Sequence, residues 1–334
     1  MIGIILRRLA QLPVILLVIY TITLTLSWAI PGNPLENPEG RQPPPEVVEQ
    51  MQRQYNLHSF PKFYWSYLDS VTGLRWVRDT MSGEIAERAQ TAEAAGTAPP
   101  VRYIFDFGPS LEYDDWNVNE IIADSLPVSI ALGAAAIVIA LVIGLGAGVV
   151  GAVRPNSIAD LATLSVALVG ISMPTFVIGT VLLLVFSVLL GVFPVANWGL
   201  RGAILPAFTL SLPFAAYIAR LTRMSMIDAF GADYIRTARA KGVAESRVVL
   251  KHALKNAFLP VLSFLGPAAA LAMTGSFIVE RVFSVPGMGQ HFVDGVQNKD
   301  LFLIMGVVLI FATMLIMFNL LVDVLYRWVD PRIA

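Results

Sequence analysis

Charged residues are missing from this chain over five long stretches: Leu9–Leu35, Val128–Val153, Leu161–Leu200, Asn256–Val279 and Leu301–Val322. A helix needs roughly 20 apolar residues to cross the hydrocarbon of a bilayer, so each stretch predicts a membrane helix. Gly202–Ala219 is a sixth, of borderline length, and its pattern continues past Arg220. Leu161–Leu200 has room for two helices, but "GVFPVANWG" from Gly191 to Gly199 is turn-like, and the pattern predicts one helix followed by an exposed loop. The expected fold is an all-α polytopic membrane protein with six transmembrane helices. Composition agrees: of 334 residues 56% are hydrophobic and only 14% charged, against about 25% in soluble domains. The run from Leu9 to Leu35 also exceeds the 7–15 apolar residues of a secretory signal, so it reads as a retained first helix.

Six helices place both termini on one side. Arg7, Arg8, Arg154, Arg220, Arg223, Arg236, Arg239, Lys241, Arg247, Lys251, Lys255, Arg327 and Arg332 fall on that side, against Arg201, Arg281 and Lys299 in the short opposite loops. Positive residues stay inside, so the termini are expected in the cytoplasm. Between the first two helices lies an outward segment, Gly32 to Asn119, with 13 acidic and 7 basic residues. Its aromatic cluster "FPKFYWSYL", Phe60 to Leu68, reads as a small core or an interfacial patch, and Gln90 to Pro100 as a flexible excursion. The acidic segment is either a docking surface or solvated surface.

Candidate chemistry narrows the function by what is missing. Formal charge is −1, which gives no polyanion groove for nucleic acid. There is no cysteine, and His58, His252 and His291 have no metal-ligand spacing, so no metal is expected. The membrane runs hold almost no ionisable residue; Arg220, Glu280 and Asp323 fall near predicted helix ends. That disfavours an ion-coupled transporter or channel working alone. Neither a nucleophile and base nor a Gly-x4-Gly-Lys-Ser/Thr phosphate loop is present, so the chain is not read as an enzyme, and any nucleotide is bound elsewhere. Pro174, Pro206, Pro213, Pro260 and Pro267 and the glycines 144, 146 and 148 serve either helix packing or a gating motion.

One polar island remains, "DYIRTARAKGVAESRVVLKHALKN", Asp233 to Asn256. Asp233 to Ala240 reads as a short helix and Gly242 as its left-handed stop. A second helix resumes up to Pro260, with Leu250, Leu254, Ala257 and Phe258 on one face and Arg247, Lys251 and Lys255 on another. Such a basic helical pair suits lipid headgroups or a cytoplasmic protein partner equally well.

At this island the chain resembles the membrane subunits of ABC importers, whose loop reads Glu-Ala-Ala, three residues, Gly, nine residues, Ile-x-Leu-Pro. With Gly242 on the pattern's glycine, Ala238, Gly242 and Leu254 match. "RTARAKG" followed by "HALKNAFLP" is similar throughout to the peptide-permease branch. So are "FDFGPSLEYDDWNVNEIIADSLPVSIALG" (Phe105 to Gly133), "TGSFIVERVFSVPGMGQHFV" (Thr274 to Val293) and "NLLVDVLYRWVDPRI" (Asn319 to Ile333), which look like the first permease of an oligopeptide transporter. Gly73 to Pro100 has no such likeness and reads as an insertion.

The resemblance implies a type I ABC importer arrangement. Residues 1–31 would form the first helix, 32–119 the extracytoplasmic segment, 120–327 the transmembrane domain of helices two to six with a coupling loop over 228–255, and 328–334 a cytoplasmic tail. It implies a second homologous permease, two cytoplasmic ATPases that bind the ATP and magnesium, and an extracytoplasmic peptide-binding protein. Cofactors on this chain itself are not expected. Tyr234, Arg236, Thr237, Ala238, Arg239, Ala240, Lys241 and Gly242 would dock an ATPase. Ser172, Thr175, Ser211 and Thr274 are candidates for the translocation path, although each also suits a bond to its own helix backbone. Oligopeptide is the expected cargo, with dipeptides, nickel chelates and glutathione as alternatives for the same machine.

Overall fold

The computed structural model describes residues 2–30, 45–94, 103–113 and 116–329. Among them, five helices are long and apolar enough to cross a membrane: α1 (Ile2–Ala29), α6 (Val118–Val153), α9 (Ile204–Phe230), α11 (Glu245–Met273) and α14 (Leu301–Val329). Shorter helices are α2 (Pro45–Gln54), α3 (Phe60–Val71), α4 (Leu74–Met81), α5 (Glu84–Ala94), α10 (Asp233–Ala240), α12 (Phe277–Phe283) and α13 (Met288–Gln297). Two more, α7 (Ile158–Ser172) and α8 (Thr175–Leu189), form a pair bent by 105°, and counting the pair as one span gives six.

That pair corrects the expectation of a single helix at the start of Leu161–Leu200, while the turn-like stretch Gly191–Gly199 is a largely exposed loop as expected. The break comes at Met173 and Pro174. A proline lacks an N–H and pushes the residue before it out of the helical region, and Met173 has an extended ψ of 133°. Pro13, Pro127, Pro213, Pro260 and Pro267, by contrast, stay inside helices. The stretch after Gly73 is also more regular than expected: α4 and α5 take up most of 74–94, so the first residues of the supposed flexible stretch from Gln90 are helical, and its remainder lies outside the described residues.

The chain divides into two compact units, one of Met1–Pro13, Ser125–Gln290 and Phe311–Ala334, the other of Val14–Asp124 and His291–Ile310. In the first, α6 meets α9 along a seam of small residues. A Cβ on Gly144 would lie 2.7 Å from the Ala215 carbonyl, and one on Gly148 2.7 Å from that of Ala219, so only glycine lets the backbones approach this closely. Leu132, Ala136, Leu205, Leu210, Ala268, Ala272 and Phe283 fill the adjoining core. Arg8 Nε meets Asp323 Oδ2 at 3.0 Å, tying the start of α1 to the end of α14.

Two carboxylates are buried within this unit. Asp160, 1% exposed at the start of α7, takes both Nε and Nη2 of Arg223 on α9 at 2.5 and 2.7 Å and the Asn156 N–H at 2.8 Å. Glu280, fully buried on α12, accepts the Ser129 hydroxyl at 2.9 Å and the Gly289 N–H at 2.9 Å.

The second unit is built on aromatic rings. Phe63 and Tyr67 stack at 5.3 Å, Phe302 stands edge-on to both, and the buried Tyr20 hydroxyl donates to the Tyr64 carbonyl at 2.6 Å. The cluster at Phe60–Leu68 thus supplies a small core, while its Trp65 stays exposed. Asp300 closes the unit. It accepts the Leu303 N–H on Oδ1 at 3.0 Å, as an N-cap of α14, and on Oδ2 the Ser110 hydroxyl at 2.5 Å and the N–H groups of Leu111 and Glu112 at 2.8 and 3.3 Å.

Asp300→Ala strands those donors, at a cost of about 3 kcal/mol, and amide exchange across residues 110–113 should accelerate. Glu280 gives a pH test. Burial pushes its carboxyl above the usual range, against the pull of the hydrogen bonds from Ser129, Gly289, Gln290 and Ser276. A raised folded value means that its stabilisation is complete below about pH 4 and is lost as the pH rises through that value. Glu280→Gln should therefore flatten the fall in unfolding temperature as the pH rises above about 4; an unchanged slope would refute the assignment.

Candidate functional site

The island begins where α9 ends. Chain from Phe230 turns at Gly231 and Ala232, and α10 starts with Asp233 in its first turn, favourable at a helix N-terminus. Thr237 Oγ1 donates to the Asp233 carbonyl at 2.9 Å. Ile235 and Ala238, three apart, point inward and pack with Met226 and Ala229 of α9, Ala152 of α6, and Val248, Val249, Ala253 and Ala257 of α11. Full burial of Ile235 alone is worth about 2 kcal/mol, enough to hold a two-turn helix that would not persist in water.

The remaining side chains face out. Tyr234, Arg236, Thr237, Arg239, Ala240, Lys241 and Gly242 are all exposed, so of the eight expected docking residues Ala238 alone belongs to the core. Gly242 ends α10 at φ +74°, with Val243 N–H reaching back to the Ala238 carbonyl at 3.2 Å, a left-handed stop as the sequence predicts. A Cβ on Gly242 would meet nothing within 4 Å of it in this chain. A side chain there therefore strains the backbone by about 1–2 kcal/mol, and any steric block has to come from another molecule. Arg239 spans the turn to Glu245, Nε to Oε2 at 3.1 Å and Nη2 to Oε1 at 2.5 Å, with its guanidinium 5.7 Å from the Phe230 ring centre.

The following helix differs from its expected register. It runs unbroken through Pro260 to Met273, merging with the membrane stretch expected from Asn256, but Val248–Ala253 forms a wide π turn within it. A π turn takes up an extra residue and rotates the helix beyond it. The buried stripe is consequently Val249, Ala253 and Ala257, with Val248 beside it, and Leu250, expected on the apolar face, is 61% exposed. Arg247, Lys251 and Lys255 lie outward as expected.

The four path candidates are in contrasting places. Ser172 is exposed at the end of α7 and Thr175 half-buried at the start of α8, flanking the break at Met173 and Pro174. Ser211 and Thr274 are buried and donate to their own backbones, Ser211 Oγ to the Phe208 carbonyl and Thr274 Oγ1 to that of Ala270, at 2.7 and 2.8 Å. Sequence reasoning misses Asp160 with Arg223, and treats Glu280 as a helix-end residue. A signal for Glu280 is present in "TGSFIVERVFSVPGMG": Gly275, Gly287 and Gly289 all crowd its carboxyl group.

Similarity to known proteins extends over almost the whole length. Residues 140–334 match the family described as binding-protein-dependent transport system inner membrane component, and residues 1–133 match its N-terminal companion. The oligopeptide transport system permease proteins OppB of Haemophilus influenzae and Escherichia coli are each 37% identical over 337 residues, covering 100% of this chain and 99% of theirs. The dipeptide transport system permease protein DppB of Bacillus subtilis is 37% identical over 329 residues, covering 98% of this chain and 96% of its own. With apolar spans, a helical loop after α9 and matches end to end, the chain belongs to the family of inner membrane components of binding-protein-dependent transport systems.

Proposed function

We propose that this chain is the first permease subunit of an ATP-driven oligopeptide importer, pairing with a second homologous permease to enclose the path. Two cytoplasmic ATPases bind the ATP and magnesium, and an extracytoplasmic protein delivers the peptide. Both termini and α10 face the cytoplasm, in keeping with the Lys and Arg distribution. The observation that carries the reading is α10 itself. Its inner face is fixed to three long helices through Ile235 and Ala238, while its outer face offers Tyr234, Arg236, Thr237, Arg239, Ala240, Lys241 and Gly242 to a partner.

Such a helix suits the transfer of motion. A partner shifts a two-state equilibrium only by the difference in its binding to the two states, and α10 passes that difference to α6, α9 and α11 through one apolar cluster. Relatives named for oligopeptide transport support that cargo. Dipeptide is a second reading with equal support, since a dipeptide permease is as similar. Because the membrane spans present few charges, a path that tolerates varied peptide side chains fits either.

The test is Gly242→Asp in the assembled transporter. Its backbone strain is too small to unfold the chain, so membrane insertion and yield should be near normal while ATP-dependent peptide uptake falls by at least about tenfold. Normal uptake by that variant would sink the docking role of the loop.

A further inference from the structure

A cleft of about 240 Å³ opens in the second unit, and nothing in the transport cycle described above uses it. Its floor is aromatic. Phe302 stands edge-on to Tyr55, Phe63 and Tyr67, at centroid distances of 5.3, 5.6 and 5.5 Å. Gly108 forms part of the wall at φ +85°, and a Cβ there would meet the Phe302 ring at 2.7 Å, so this wall closes on the ring only as glycine.

The rim is charged, with Arg75 and Arg78 from α4, Asp69 from α3 and Asp106 from the segment before α6. Arg78 is taken up by Asp69, Nη2 to Oδ2 at 2.7 Å. Arg75 is held only loosely: it donates to Ser70 Oγ at 3.3 Å and stands 3.9 Å from Asp79, which leaves most of its five N–H donors unused. Asp106 accepts the Gly108 N–H on Oδ1 at 3.0 Å, and its other oxygen has capacity to spare. Tyr55 senses both: burial and Asp106 raise the pKa of its hydroxyl, while Arg75 lowers it. Beside the Arg78–Asp69 pair, the cleft thus holds a second cation, Arg75, and a second anion, Asp106, that are not paired with each other.

We propose that this cleft binds a short peptide with both ends free, its carboxylate on Arg75, its ammonium on Asp106 and its side chains against the aromatic floor. A guanidinium with a free edge suits a carboxylate in two-point geometry. Asp106 disfavours a simple anion and Arg75 a simple cation, which leaves a molecule carrying both charges. Aromatic rings accept varied apolar side chains with little sequence preference. Arg75 and Arg78 come from α4, and the whole lining of the cleft belongs to the second unit. The site rests on the peptide-import reading and supplies that reading with a capture point outside the membrane.

The experiment is calorimetric titration of the full chain in lipid nanodiscs, without a binding protein, using trialanine, its C-terminal amide and its N-acetyl form. Trialanine should bind saturably, and each capped form, like Arg75→Gln, should weaken binding about tenfold. Arg75 is partly exposed and loosely tied, so Arg75→Gln is expected to fold; Asp106→Asn tests the other end and should cancel the discrimination against the N-acetyl peptide. Arg53→Gln, whose partner Glu49 lies outside the cleft, should bind as the unaltered chain does. Absence of trialanine binding, or binding indifferent to Arg75 and to the caps, overturns the site. ATP-driven uptake by the complete transporter separates the two ideas: normal peptide uptake without cleft binding removes only this inference, whereas failure to import any peptide removes the importer reading beneath it.

Discussion

Away from water a carboxylate persists only where donors or a cation meet it, and in this chain three carboxylates fix the places where distant segments join. Asp160 takes the whole fork of Arg223 and so binds the start of α7 to α9. Glu280 holds the turn before α13 to Ser129 on α6. Asp300 gathers the 110–112 backbone onto the first turn of α14. Apolar packing alone would leave long smooth helices free to slide and turn, because alanine and leucine surfaces interdigitate in several registers. Buried acceptors remove that freedom, since a shift of one residue would leave each carboxyl group without its donors.

The same division of labour runs through the island. Apolar contacts set where α10 sits, and polar contacts set its ends: Asp233 at the start, the left-handed turn at Gly242 and the Arg239–Glu245 bridge at the finish. Removing Ile235 and Ala238 from water costs the outer face nothing, because on a two-turn helix those two positions share one side. Of the exposed side chains, Arg239 ties the turn to Glu245, while Thr237 and Arg236 bond only within α10, to Asp233.

The spans α1, α6, α9, α11 and α14 were legible in the sequence because absence of charge over about 20 residues has few other meanings. The island was legible for the converse reason, and Gly242 because only a few residues adopt its backbone conformation readily. The α7–α8 bend was not, since only Pro174 marks it within an unbroken apolar run, and five other prolines in this chain leave their helices unbroken. Nor was the π turn at Val248–Ala253, whose extra residue changes which side is buried without changing composition. Of the path candidates, Ser211 and Thr274 resemble Ser172 and Thr175 in sequence, and only packing shows that the first two are turned into their own helices. Pairings such as Ser129 with Glu280 span 151 positions, beyond any local pattern.

The surroundings of Glu280 constrain how this protein can vary. A Cβ on Gly275, Gly287 or Gly289 would come within 2.5–2.9 Å of its carboxyl group, so none of the three can gain even a methyl group while the glutamate remains. Shortening the acid to aspartate would withdraw the acceptor from Ser129 and Gly289 without freeing the glycines: a Cβ on Gly287 would still meet Ser129 Oγ at 2.6 Å, one on Gly289 the Phe277 nitrogen at 2.7 Å, and Gly275 keeps its φ of +97°. The acid therefore sits in a mould that the backbone would hold even in its absence.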